Sequence, residues 1–161
     1  MIKDVEHFSF TVSNLETSLH FFCDQLGLEA SPIMEVDHPD VQQIVGMADA
    51  KLRISLVKLP GNHNIELIEY TRPKGKPLDL ATCNTGVAHI AFEVADINAL
   101  YKNLSAQGVT FVSPPVWAPA NDGKGRWGVC YLKGPDDITL EMIEKKESTT
   151  TRDAGGLNFR P

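Results

Sequence analysis

Cysteine, positive charge and long apolar runs are all in short supply in this chain of 161 residues. Its three cysteines, Cys23, Cys83 and Cys130, are widely spaced and form no CxxC pair. That excludes a disulfide framework and a zinc–thiolate or redox motif, and buried free thiols are expected instead. Lys and Arg number 15 against 21 Asp and Glu, a net charge of −6, so there is no basic excess with which to hold a nucleic acid. No apolar run approaches the roughly 20 residues of a membrane span. The opening MIKDVEHF carries neither the basic nor the apolar region of a secretory signal. A cytoplasmic protein without membrane or nucleic-acid partner is therefore expected. Apolar residues at 42% and charged residues at 22% are ordinary for a globular chain, and the length suffices to bury a sizeable core.

What the chain does hold is a repeat. GVAHIAFEVAD at 86–96 reads as a strand leading into a helix, with His89, Ala91 and Glu93 on one face and Ile90, Phe92 and Val94 on the other. The segment VEHFSFTVSNL at 5–15 aligns with it, placing His7 on His89, Phe10 on Phe92, Val12 on Val94 and Asn14 on Asp96. Such self-similarity fixes the architecture before any local reading does.

Both halves follow one order: strand, helix, then three strands. The first strand covers 5–12, and Asn14 caps a helix whose Leu15, Leu19, Phe22 and Leu26 recur at helical spacing until Gly27. A short strand at 28–34, an ambiguous stretch at 35–50 with a helical turn near 41–45, and strands at 52–59 and 64–70 complete the half. A Pro- and Gly-containing stretch reads as a linker. The second half has strands at 87–94, 109–112, 127–132 and 138–143, a helix at 96–107, and a long loop at 114–125. One domain over 1–146 is expected, with module one at 5–70, a linker at 71–86 and module two at 87–146. Residues 147–161 read as a flexible C-terminal tail.

The last strands also match: NIELIEY puts Glu66 where ITLEMIE puts Glu141, and Glu69 where it puts Glu144. Glu69 and Glu144 read as surface or edge residues. His7, Glu66, His89 and Glu141, one imidazole and one carboxylate from each half, can converge if the halves pack with a pseudo-twofold. Two nitrogens and two oxygens suit Zn, Ni, Co, Mn or Fe(II) rather than a thiolate-preferring metal. Lys124 and Arg126 in the loop GKGRWG are candidates to anchor a substrate anion, and Trp117 to line the cavity.

The motifs HFSFTVSNLETSLHFFCDQLGL, NIELIEY, AHIAFEVADINAL and GPDDITLEMIE resemble those of the vicinal oxygen chelate superfamily, over about the first 145 residues. That superfamily includes glyoxalase I, methylmalonyl-CoA epimerase, extradiol dioxygenases and bleomycin-resistance proteins. The resemblance implies an α+β fold of two tandem βαβββ modules forming an open, cupped mixed β-sheet barrel with flanking helices. It implies one divalent metal ion per chain at the base of the cup, on His7, Glu66, His89 and Glu141. It also implies a small oxygenated substrate chelated through vicinal oxygens, and a homodimer. The expected chemistry is proton abstraction next to a carbonyl, by a lyase or isomerase with Glu141 as first candidate base and Glu66 as second. Thr11 stands where glyoxalase I has an arginine, and Tyr70-Thr71 where it has Asn-Trp, so a typical glutathione-dependent glyoxalase I is not expected. One alternative is an Fe(II) extradiol-type dioxygenase, for which Tyr131 occupies the position of a tyrosine on the preceding strand and His38 and His63 are the other histidines that could serve as acid or base. The other is a non-catalytic small-molecule-binding or resistance protein.

Overall fold

The computed structural model describes residues 1–120 and 123–147. Each half starts with a strand that runs into a capped helix. After β1 (His7–Thr11), the Asn14 side chain accepts the Thr17 N–H at 2.7 Å and opens α1 (Leu15–Leu19), which continues as a π-helical segment, His20–Gln25. Asp96 does the same for Ala99 at 2.9 Å, between the strand Ile90–Glu93 and the helix Ile97–Ala106. The helices stop where Gly27 and Gly108 adopt positive φ, +74° and +84°, a conformation that costs glycine nothing.

In module one, β2 (Glu29–Ala30) and β3 (Met34–Val36) both pair with β4 (Lys51–Leu59), so they form one strand broken around Ser31. Between β3 and β4 lies α2 (Pro39–Val45), and β4 returns antiparallel to β5 (His63–Arg72), which runs parallel to β1. Module two repeats this. Its first strand is β6 (Ile90–Glu93) and its helix α3 (Ile97–Ala106); β7 (Thr110–Phe111) and β8 (Val116–Pro119) both pair with β9 (Gly125–Lys133), which pairs with β10 (Thr139–Glu147). The segment expected to be a loop over 114–125 thus contains strand β8. Its prolines conceal it in sequence, and an edge strand tolerates them. The architecture is α+β, two mixed five-stranded sheets that do not close into a barrel. Of residues 147–161, the segment expected to be a flexible tail, Glu147 ends β10 and the rest lie outside the described residues.

A single core joins the modules. Leu15, Phe22, Ile65 and Leu67 from the first half share one cluster with Ile97, Leu104, Leu132 and Leu140 from the second, all essentially inaccessible. At the joint, the Phe21 ring packs where a Cβ on Gly134 would stand 3.2 Å away, and the Asp136 carboxylate accepts the Ser13 N–H at 2.8 Å.

Glu69 and Glu144 are not surface residues. Both are buried, and each accepts the first N–H of its module's helix, Leu15 N at 3.1 Å and Ile97 N at 2.9 Å. A carboxylate there satisfies a donor the helix leaves unpaired and meets the positive end of its dipole. Arg53 pairs with Glu69 at 2.9 Å and Lys146 with Glu144 at 3.0 Å, which keeps either charge from being buried alone. Of the cysteines, Cys130 is buried and its thiol pushed up to about 11 by burial, whereas Cys83 is exposed, contrary to expectation.

The β9–β10 turn is strained. Asp136 and Asp137 both adopt positive φ, 57° and 60°, where a side chain is disfavoured. Replacing Asp137 with glycine is expected to stabilise the protein by about 0.5–1 kcal/mol, read from the urea midpoint, because glycine removes that penalty at some cost in chain entropy.

Candidate metal centre

The period of two sorts each sheet into a face beneath the helices and an open face. On β5, Ile65, Leu67 and Glu69 are buried beneath α1, so Asn64, Glu66, Ile68 and Tyr70 lie on the open face. On β10, Leu140, Met142 and Glu144 are buried, and Glu141 and Ile143 are open. Parallel pairing sets Ser9 beside Glu66 and Ala91 beside Glu141, and the histidine two residues earlier meets the carboxylate in both modules. His7 Nε2 lies 3.2 Å from Glu66 Oε2, and His89 Nε2 lies 3.0 Å from Glu141 Oε2. The imidazoles are 37% and 39% exposed over carboxylates at 19% and 16%, so each pair is covered from below and open above.

The sequence-derived ligands are therefore brought together two by two. Among the described residues no group of three or more His, Cys, Asp or Glu side chains stands close enough to share an ion. The donor set suits a first-row divalent cation: both imidazoles present Nε2 toward a carboxylate oxygen on an accessible face.

The halves differ in detail. His7 Nδ1 is hydrogen-bonded to the Glu6 carboxylate, while Ala88 occupies the matching position before His89. Glu6 was not singled out from sequence; an acidic residue directly before a strand histidine is the signal available. Such a carboxylate orients an imidazole and raises its basicity. The His7 pKa is accordingly raised, first by the hydrogen bond that its ring N–H donates to Glu6 and then by the charges of Glu66 and Glu6, against a lowering by burial. A folded-state pKa above the unfolded one stabilises the protein fully below the unfolded value, about 6.5, and that contribution fades as pH rises through the folded value. Glu6→Gln is thus expected to remove part of the metal-free protein's stability at pH 5 and little at pH 9, which thermal melts at both pH values would test.

Tyr131 pairs with Glu141 across β9 and β10, and its ring centroid lies 5.3 Å from that of His89, so it belongs to the open face of module two. Leu56 takes the equivalent place beside Glu66. Trp117 and Arg126 are elsewhere. Trp117 pairs with Gly128 and packs on the core face, where a Cβ on Gly128 would meet its ring at 2.8 Å and Lys146 Nζ sits 4.3 Å from its centroid. Arg126 donates to the Trp117 carbonyl at 2.9 Å, and Lys124 immediately precedes β9. Neither Trp117 nor Arg126 lies on the face that carries His89 and Glu141. Substituting Gly128 with alanine is expected to destabilise by about 1–3 kcal/mol through overpacking against Trp117, read by chemical denaturation.

Among the described residues no other histidine joins these pairs. His38 caps α2, accepting the Asp40 N–H at 3.3 Å, and His63 lies on β5, half-buried with its ring 6.4 Å from that of Phe8, rather than in an exposed loop.

Two mixed sheets in tandem, each backed by one main helix and each carrying a His–Glu pair at matched positions on its open face, define a two-module βαβββ chain with duplicated half-sites. Residues 4–142 match the Glyoxalase/Bleomycin resistance protein/Dioxygenase superfamily, and the chain belongs to it. It is 29% identical over 144 residues to a 2-epi-5-epi-valiolone epimerase of Actinomyces sp, covering 86% of this chain and 78% of that protein. It is 25% identical over 144 residues to the protein YaeR of Escherichia coli strain K12, covering 89% and 98%. Among solved structures, a glyoxalase family protein from Bacillus cereus superposes with a TM-score of 0.77 at 20% identity, over 90% of this chain and 95% of the other. The trypanothione-dependent glyoxalase I of Leishmania major does so at 0.60 and 16%, over 89% and 87%. No helix among the described residues is long and apolar enough to cross a membrane.

Proposed function

We propose that this protein is a divalent-metal-dependent isomerase or lyase of the glyoxalase and epimerase type, which moves a proton next to a carbonyl in a small oxygenated substrate. The observation that carries the reading is the duplicated pair, His7 with Glu66 and His89 with Glu141, each open to solvent above and covered below. Similarity to an epimerase favours the isomerase side of that description. The four side chains hold one Zn, Ni, Co, Mn or Fe(II) ion per chain. Because one chain gathers them only in pairs among the described residues, a homodimer completes each centre, module one of one copy facing module two of the other.

A divalent ion bound there supplies electrostatic stabilisation to the enolate or enediolate that proton removal creates. The chain's own residues do the rest. Glu141 takes the proton as first candidate base, with Glu66 second. His89 holds the Glu141 carboxylate in place at 3.0 Å. Leu56 and Ile68, beside Glu66, keep water from one side of the substrate.

The test is solvent-deuterium exchange into a panel of 2-hydroxy and 2-keto compounds, followed by NMR with metal-loaded and chelator-treated protein. Exchange that needs metal supports the reading, and no exchange into any compound sinks it. The Tyr131–His89 contact favours a second reading, an Fe(II) extradiol-type dioxygenase. It predicts oxygen uptake with catechols, but among the described residues neither His38 nor His63 joins a His–Glu pair, which weighs against it. A binding or resistance protein without turnover would instead keep its ligand after chelation.

A further inference from the structure

The open faces of the two modules match in register but not in cover. Leu56 beside Glu66 corresponds to Tyr131 beside Glu141. Two and four residues back along the same strands, Ile54 corresponds to Val129 and Leu52 to Trp127. In module one the far position is closed, with Leu52 only 4% exposed. In module two it is not. Trp127, Val129 and Ile143 are half-buried, and the edge of the same face carries two uncovered valines, Val112 at 63% and Val116 at 60%. Both valines turn this way because their neighbours Phe111 and Trp117 pack against the core on the other face. Val112 donates its N–H to the Tyr131 carbonyl at 2.8 Å, and Val116 pairs with Val129.

This apolar track has a direction. Glu141 stands near the start of β10 and Tyr131 near the end of β9, so the His89–Glu141 pair lies at one end of the face. From there the sheet runs four residues, roughly 13 Å, to Trp127 opposite Lys145. The positions between are small or apolar. Ala91 lies beside Glu141, Val129 pairs with Ile143, and Ala118 pairs with Trp127; both alanines are exposed and leave room above them. The charges along the track answer each other. Lys145 pairs with Glu93 and holds its Nζ 5.7 Å from the Trp127 ring centroid. An anion would have to compete with Glu93 for that lysine, so the track suits an uncharged, apolar group.

We propose that this track is a subsite for the tail of an elongated substrate, held by Val129, Ile143 and Trp127 while its reacting carbonyl lies at His89 and Glu141. The proposal rests on the proton-transfer reading of that pair and names its substrate class. These are 2-oxo or 2-hydroxy compounds whose uncharged apolar tail spans roughly 10 Å, in preference to short ones such as pyruvate. Each methylene buried along the track tightens binding roughly fourfold. Trp127 determines the specificity, because it supplies the large apolar surface at the end of the track where module one has the covered Leu52.

The test compares pyruvate with 2-oxodecanoate in the parent, Trp127→Ala and Trp127→Phe. One readout is solvent-deuterium exchange by the Co(II)-loaded protein, and the other is tryptophan emission during titration with 2-oxodecanoate. In the parent, kcat/KM is expected to favour 2-oxodecanoate about 100-fold, mainly through KM. Trp127→Ala should cut that preference about tenfold, and Trp127→Phe should keep most of it. Parent emission should move to shorter wavelength and saturate, and Trp127→Phe should lose that change. Should Trp127→Ala misfold by circular dichroism, the parent and Trp127→Phe decide through emission. Equal exchange into both probes without an emission change overturns the subsite and leaves the proton-transfer reading standing. A preference that survives Trp127→Ala unaltered overturns the role of Trp127. Emission that follows protein concentration and ignores 2-oxodecanoate means that a second copy covers the track, which also overturns the subsite. A saturable change at Trp127 with no exchange into either probe supports the subsite and sinks the proton-transfer reading.

Discussion

Replacing Glu141 with alanine is expected to remove both the bound metal and the proton-transfer activity, with turnover falling by about 10²–10⁴-fold as for loss of a positioned acid–base group. The carboxylate sits 3.0 Å from His89 and is mostly covered. His89→Ala should lose metal to a similar degree, because it removes one of the nitrogen donors on which affinity for a first-row ion depends. Glu141→Gln separates the two roles. A glutamine retains a neutral oxygen donor but cannot accept the proton, so metal content should fall less than activity does. Elemental analysis alongside deuterium exchange reads both. Equal activity in Glu141→Gln and the parent would remove Glu141 as the base and leave Glu66.

The second large effect is on stability. Phe22 is wholly buried in the cluster that joins the modules. Phe22→Ala is expected to cost about 3–5 kcal/mol, lowering the melting temperature by roughly 10 °C for a chain of this size. Because the cluster draws on both modules, the loss should appear as one shifted transition, with near-ultraviolet and far-ultraviolet signals moving together. Two separated transitions would mean that the modules fold independently and that the shared core contributes little.

Much of this was legible from the sequence, for physical reasons that can be traced residue by residue. The match of His7 with His89 and Glu66 with Glu141 was visible because the two modules keep the same strand period, and side chains two residues apart share a face. Asn14 and Asp96 announced their helices by cap chemistry. Strand β8 was hidden because Pro114, Pro115 and Pro119 read as loop, and only the pairing of Val116–Pro119 with β9 makes it a strand. Glu69 and Glu144 could be assigned to the face opposite Glu66 and Glu141, but nothing local indicated that a helix N-terminus waits there. The face that Trp117 occupies was hidden for the same reason: which face an edge strand turns toward the core depends on its register with β9, here Trp117 opposite Gly128. The joint between the modules depends on the approach of Phe21 to Gly134, residues far apart in sequence with no shared pattern.

The proposed metal centre is assembled from module one of one copy and module two of another. The most direct test mixes two inactive proteins, one carrying His7→Ala with Glu66→Ala and the other His89→Ala with Glu141→Ala, by co-refolding in equal amounts. Neither protein alone should bind metal. In a mixed dimer, one of the two centres combines the intact module one of the second protein with the intact module two of the first. Random pairing then restores metal to about one quarter of the parent content per chain. Recovery of that fraction, with deuterium exchange returning in step, is the predicted result. No recovery in a mixture shown to contain mixed dimers, while the parent binds one ion per chain, would contradict the account.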